Sequence, residues 1–174
     1  MDIIKLVLPK KEHEKQVIDY KNEFEINGDA LNGSAGLARA NSYEEWLSGL
    51  SGNTTQAGLV KSSQYLAVRT DDNKIVGMIN IRHTLNDYLL QFGGHIGYSV
   101  RKSERRKGYA KEMLRLALVK CKELGIDKVL ITCNKENIAS AKTITGNGGV
   151  LENEVQEQDR ITQRYWIDIR PQVN

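Results

Sequence analysis

Between residues 96 and 133 the chain runs strand, basic turn, helix, strand, and no other feature of the sequence restricts the fold as much. His95-Ile96-Gly97-Tyr98-Ser99-Val100-Arg101 is a β-rich run. Ala110, Met113, Leu114, Ala117, Leu118, Cys121 and Leu124 then fall on one helical stripe, with Lys111, Glu112, Arg115, Lys122 and Glu123 mostly opposite. Gly125 ends the helix, because the residue after a last turn commonly enters left-handed backbone. Lys128-Val129-Leu130-Ile131-Thr132-Cys133 is a short apolar strand. A strand–helix–strand unit of this length is a parallel crossover. The spacing therefore predicts a mixed α/β fold.

The flanking sequence supplies the remaining elements. Ile3 to Pro9 alternates as a first strand. His13, Val17, Tyr20 and Phe24 recur at helical spacing, which predicts an amphipathic helix over 10–27. Residues 28–40 read as loop, and Ser42 and Glu45 stand at the cap positions of a short helix carrying Tyr43 and Trp46. Residues 49–63 are small and polar. The runs 65–69 and 75–83 form a hairpin around Asp71-Asp72-Asn73-Lys74, whose short side chains bond their own backbone. Residues 84–94 read as a polar loop. After the crossover, Asn134 is expected to cap a helix over 135–146, with Asn147-Gly148-Gly149 as the turn out of it. Residues 150–157 and 161–169 form an antiparallel pair around Gln158-Asp159. With no repeat and no linker, residues 1–174 read as one domain.

Composition removes several functional classes. The 174 residues are 40% hydrophobic and 27% charged, so a core can form without staples. No apolar run approaches the ~18 residues of a membrane span. Cys121 and Cys133 are too few for a disulfide framework and lack metal-ligand spacing. The first residues show no export stretch. The expectation is a cytoplasmic protein with reduced thiols, no metal and no membrane partner. Twenty-five Lys and Arg against 22 Asp and Glu leave a charge of +3, too mild and too dispersed for a nucleic-acid binder. One basic knot, Arg101-Lys102-Ser103-Glu104-Arg105-Arg106-Lys107, stands apart.

That knot sits where an anion is best held. Free N–H groups at a helix start point outward, and the helix dipole adds partial positive charge there. Gly108 has no Cβ, so a phosphate can approach the backbone. Arg105, Arg106, Lys107 and Lys111 surround the position. The arrangement suits a phosphate or diphosphate. The chain contains neither G-x-x-x-x-G-K-[ST] nor G-x-G-x-x-G, which excludes a P-loop and a standard dinucleotide fold.

Arg105-Arg106-Lys107-Gly108-Tyr109-Ala110 resembles the Q/R-x-x-G-x-G/A acetyl-CoA signature of the GCN5-related N-acetyltransferases, the GNAT superfamily. The similarity extends over residues 94–149: Gly97 to Arg101 resembles that family's fourth strand, the helix after Gly108 its third, and Asn134 to Gly149 its later block. The resemblance implies a mixed, mostly antiparallel central sheet with two splayed parallel strands, flanked by helices. Acetyl-CoA would bind in the splay, its pantetheine arm along Tyr98, Ser99 and Val100 and its diphosphate on Arg105, Arg106, Lys107, Gly108, Tyr109 and Ala110. Asn134, Asn137 and Ser140 stand at matching positions of the later block. The acetyl group would pass directly to a primary amine of a small molecule or peptide, with no nucleic acid or membrane involved; a homodimer is a further expectation. A non-catalytic acyl-CoA-binding module is the alternative.

Two positions depart from the family pattern. The Tyr common seven residues past the Asn is Ile144, and the Phe after the helix-ending Gly is Gly149. Tyr98, Tyr109, Tyr165 or water is left to protonate a leaving thiolate, or the thiol of coenzyme A leaves without an acid; Tyr98 is the candidate. His95, where relatives carry Glu or Asp, is the candidate base, since its ordinary pKa of ~6.5 suits proton acceptance. Its competing reading is a strand-end histidine without chemistry. Glu23, Glu25, Asp29, Glu44 and Glu45 offer an anionic surround for the amine.

Overall fold

The structure, a computed structural model, describes residues 2–50 and 60–173; residues 51–59, within the small polar segment predicted at 49–63, lie outside the described residues. Strand β1 (Ile4–Val7) leads through a short 3-10 turn into helix α1 (Glu14–Asn27), and helix α2 (Tyr43–Leu50) follows. Strands β2 (Ser62–Arg69), β3 (Ile75–Arg82) and β4 (Ile96–Val100) precede helix α3 (Tyr109–Glu123). Strand β5 (Lys128–Asn134), helix α4 (Ile138–Thr145) and strands β6 (Val150–Glu157) and β7 (Arg160–Asp168) complete the chain. The mixed α/β architecture with antiparallel sheets and flanking helices is the one the sequence predicts.

Local chemistry fixes the elements. The β2–β3 hairpin turns at Asn73, in left-handed backbone (φ 57°), and Asp72 clamps Arg69 at 2.6 and 3.0 Å while accepting the Lys74 N–H. Ser42 Oγ accepts the Glu45 N–H at 3.1 Å, and the Glu45 carboxylate accepts the Asn41 N–H rather than that of Ser42. The capping box is thus displaced by one residue on its return side. In 84–94, predicted as loop, a wide π-type turn covers Leu89–Gly93.

Two sheets form: β1-β2-β3-β4, and β5-β7-β6, every recorded pairing antiparallel. Strand alternation splits the core accordingly. Ile79 and Ile81 face α3, where Met113, Leu114, Ala117 and Cys121 are buried with Val129 and Ile131 of β5. Met78 and Leu66 face the other side, against Val17, Tyr20 and Phe24 of α1 and Trp46 of α2. Tyr20, Phe24 and Trp46 are therefore core residues. Gly77 lets α3 close on β3, since a Cβ there would stand 2.5 Å from Met113 Sδ.

The two sheets adjoin at β4 and β5, the pair expected to splay. The two strands meet at their start, where the His95 N–H donates to Leu130 O at 2.7 Å and the Leu130 N–H donates to His95 Nδ1 at 3.0 Å. Tyr98, three residues on, lies in electrostatic range of Cys133, three residues past Leu130, so the strands advance in the same direction. Beyond His95 they part, and a cleft opens between them.

The helix after β5 also differs from expectation. Asn134 accepts the Glu136 N–H at 3.0 Å and shapes a turn; Asn137 is the cap, its Oδ1 accepting the Ser140 N–H at 3.0 Å, and α4 begins at Ile138. Both asparagines have the side chain a cap needs. Asn134 is held in the β5 ladder opposite Thr162, which pushes the helix start three residues downstream.

Candidate active site

The cleft has a volume of about 790 Å³, in the range of small-molecule sites. Its walls are β4, the turn before α3, the end of β5, α4, the segment after α1 and the π-type turn. Tyr98, Ser99, Val100, Arg105, Arg106, Gly108, Tyr109, Ala110, Asn134, Asn137 and Ser140 all line it. Of the residues expected to bind the cofactor, Lys107 is not among its lining; neither are His95, Tyr165, Glu23, Glu25, Glu44 and Glu45.

The free edge of β4 forms the floor. Arg82 N–H bonds His95 O and Arg101 N–H bonds Val76 O, so the odd-numbered residues of β4 face β3. By alternation Ile96, Tyr98 and Val100 turn their backbone groups toward the cleft. Val100 O is taken by Arg105 Nε at 2.8 Å. The remaining groups of Tyr98 form an open strand edge able to pair with an amide-bearing chain.

The turn that follows is built around two left-handed residues, Arg106 (φ 65°) and Gly108 (φ 85°). Left-handed residues interspersed in a turn direct successive N–H groups into a concavity that suits an anion. Gly108 is the N-cap of α3 and adds no side-chain cap, which leaves the first helical N–H groups open. For Arg106, a non-glycine residue, this backbone is costly and marks a site the surrounding structure holds in place.

A buried carboxylate does that holding. Glu104 is 4% exposed and receives Arg69 at 2.9 Å, Lys74 at 2.7 Å and Lys107 at 2.8 Å. The bonds to these three cations outweigh its burial and push its pKa down to about 2. Arg69 also donates to the Tyr109 hydroxyl, which in turn donates to Asp2 at 2.8 Å. Lys107 is thus committed to Glu104, which corrects its expected place beside a diphosphate. Arg105 lines the cleft, but its guanidinium folds back onto Asp29 at 2.9 Å and over the Phe24 ring. Among the described residues Lys102 and Arg106 are the knot cations without an ion pair, and of these two Arg106 lines the cleft.

His95 does not fit the role of base. It is 7% exposed, Nδ1 is occupied by the Leu130 N–H, and burial together with the Arg82 charge lowers its pKa to about 4. Its work is to join the sheets. Tyr98 stands in the cleft with Oη 2.6 Å from Ser140 Oγ, and burial raises its pKa to about 12, so it carries a proton at neutral pH. Tyr109 spends its hydroxyl on Arg69 and Asp2; Tyr165 spends its own on Gln163 at 2.8 Å. Cys133 lines the cleft beside Ser140, its thiol pKa raised by burial.

The two departures from the family pattern are one packing arrangement. Ile144 is fully buried, and a Cβ on Gly149 would stand 2.5 Å from Ile144 Cγ2. The side chain at 144 is buried against this turn and is not among the residues lining the cleft.

Of the five acidic residues proposed to surround the amine, four are already used, and Glu44 is exposed on α2. Glu23 accepts Arg101 at 2.7 Å and the Ser103 N–H at 2.8 Å, Glu25 stands near Lys21, Glu45 serves α2, and Asp29 holds Arg105. Several working residues carried no sequence signal. Gly33 (φ 67°) presses against β4 so closely that a Cβ would meet Gly97 O at 2.3 Å, and it seats the segment after α1 over the cleft. Arg82 reads in sequence only as the end of a strand.

The fold and this cleft define an acyl-transferring α/β protein, and comparison with known proteins makes the class specific. A family model described as "Acetyltransferase (GNAT) domain" matches residues 18–150. The chain belongs to the GNAT acetyltransferase family and is an N-acetyltransferase. No curated protein sequence matches it. Solved structures share the fold at low identity. RimL, a ribosomal L7/L12 α-N-protein acetyltransferase in complex with coenzyme A, has a TM-score of 0.70 at 18% identity over 95% of this chain and 94% of its own. The Microcin C7 self-immunity acetyltransferase MccE, in complex with acetyl-CoA and AMP, has a TM-score of 0.69 at 18% identity over 97% and 94%. The Salmonella typhimurium acetyltransferase that modifies the N-terminal serine of L7/L12 has a TM-score of 0.67 at 18% identity over 96% and 95%.

Proposed function

We propose that the chain takes acetyl-CoA in the β4–β5 cleft and acetylates a primary amine, with Tyr98 as general acid. The observation that carries this reading is the open left-handed turn Arg106-to-Gly108 at the end of the unpaired β4 edge: one end accepts a diphosphate, and the other pairs with the amides of a pantetheine arm. Acetyl-CoA supplies the activated thioester. Arg106 and the first N–H groups of α3 would hold its diphosphate. The Tyr98 backbone orients the arm, and Asn137 and Ser140 line the opposite wall.

Tyr98 Oη keeps its proton through the neutral range and is bonded to Ser140, so it is poised to give that proton to a departing sulfur. Among the described residues lining the cleft there is no imidazole, and both carboxylates, Asp29 and Glu104, are ion-paired. The amine must therefore reach its neutral form without a strong base. For an α-amine of pKa ~7.7–8 this costs about 1 kcal/mol at pH 7, against about 4–5 kcal/mol for a lysine-type amine. An α-amino acceptor is favoured. The structural relatives that act on a ribosomal protein's N-terminus accord with this.

Both cysteines are free, and among the described residues no group of three or more His, Cys, Asp or Glu stands placed to hold a metal ion. No helix among the described residues is long and apolar enough to cross a membrane. The test is calorimetric titration of coenzyme A followed by thiol release from acetyl-CoA with a library of amines. Binding with turnover supports the reading. Binding without turnover of any amine would favour the non-catalytic module, and absence of binding would remove both.

A further inference from the structure

We propose that Arg82 recognises the acceptor, and that the acceptor carries an anionic group, a carboxylate or a phosphate, beside its nucleophilic nitrogen. This rests on the transferase reading above and specifies its second substrate. Arg82 ends β3 and lines the cleft on the side of the segment after α1. Its Nη1 donates to Gly93 O and Gly94 O, both at 3.1 Å, which fixes the guanidinium plane. Nη2 lies over Gly97, where a Cβ would meet it at 3.5 Å. Nε and Nη2 have no partner among the described residues, and together they form the edge that grips a carboxylate or phosphate in two parallel bonds.

The charge pattern supports a missing anion. Arg69, Arg101, Arg105 and Arg164, the other arginines packed into the molecule, each hold a carboxylate. Arg82 holds none, although its burial disfavours an uncompensated cation. The titratable groups nearest it, Tyr88 and His95, are both uncharged at neutral pH: burial raises the first pKa and lowers the second. Arg160, also on the cleft wall, is satisfied by Glu157 at 2.9 Å. Both lining carboxylates are consumed by their own cations, so this half of the cleft is left with one unopposed positive fork.

The test uses amines in matched sets: one scaffold bearing a free carboxylate, the same scaffold as a phosphonate, and the same as a carboxamide. The intact protein should turn over one or both anionic members with kcat/KM about 10–100-fold above the carboxamide, the difference residing in KM. Which anionic member leads distinguishes carboxylate from phosphate. Arg82→Gln should abolish the preference by raising KM for the anionic members alone, and Arg82→Lys should retain part of it. Coenzyme A titration into each variant shows that the cleft is intact. A wild-type protein that prefers the carboxamide, or an Arg82→Gln variant that keeps the preference, overturns the inference. Coenzyme A binding with turnover of no anionic amine overturns it too, while leaving the cofactor reading in place. Loss of coenzyme A binding by the wild-type protein overturns that underlying reading instead.

Discussion

At the residue scale the site is set by where single polar atoms are spent. Tyr98 differs from Tyr109 and Tyr165 only in that its hydroxyl meets another cleft hydroxyl, Ser140, instead of the interior. Tyr98→Phe should leave coenzyme A affinity near that of the wild type and lower kcat by about 10²–10⁴-fold, measured as thiol release under saturation. With its pKa raised to about 12, the Tyr98 hydroxyl stays protonated well into the alkaline range, so the kcat profile should show no alkaline limb from this group below about pH 10. An unchanged kcat in the phenylalanine variant removes Tyr98 from the chemistry. Gly108→Val places a β-branched residue at φ 85°, a strain of about 1–3 kcal/mol, and adds a side chain in the anion's path. Coenzyme A should no longer give measurable heat in that variant.

At the element scale the anion turn is held by its underside. Glu104 ties β2, β3 and the turn together through Arg69, Lys74 and Lys107. Its carboxyl is ionised in the folded chain down to about pH 2, against an ordinary value of 4.5. The stability it contributes is complete above pH 4.5 and is lost as pH falls toward 2. Glu104→Gln should flatten acid unfolding in that window and lower Tm at neutral pH, readable by thermal melts across pH. Helix α4 gives a second case. Ile144 and Gly149 fill one space between them, so Gly149→Ala should destabilise by about 1–3 kcal/mol through overpacking, and Ile144→Tyr should lower Tm without raising turnover. Much of this level was legible in sequence: the helix after Gly108 and the β2–β3 hairpin follow from periodicity and turn chemistry. The start of α4 was not, because Asn134 and Asn137 are equally good caps and only the pairing of Asn134 with β7 decides between them.

At the scale of the whole molecule the cleft exists because two sheets touch at one end and diverge at the other. His95 is the join. Replacing it with Ala leaves the buried Leu130 N–H without its acceptor, at about 1–3 kcal/mol. His95→Ala should therefore lower Tm and leave the shape of the activity–pH profile unchanged; a shift of that profile would return His95 to the chemistry. In the folded chain its imidazole resists protonation to about pH 4, while an unfolded histidine takes its proton near 6.5. Its stabilising effect is full above 6.5 and declines as pH falls toward 4, a window above that of Glu104. The sequence by itself determined the strand–turn–helix–strand unit, the placement of Gly108 and most of the residues that wall the cleft. The unit and Gly108 follow from local backbone preference and from periodicity along a contiguous segment, and the wall residues from the resemblance of residues 94–149 to the GNAT pattern. Only the tertiary structure decided that Arg106 is the unpaired knot cation on the cleft wall, that His95 joins the sheets, that four of the five acidic residues are already partnered, and that Arg82 is not. Those outcomes depend on partners tens of residues away, Arg69 and Lys74 for Glu104, Asp29 for Arg105 and Leu130 for His95, and a charge or a ring nitrogen has no sequence pattern that reveals whether such a partner will reach it.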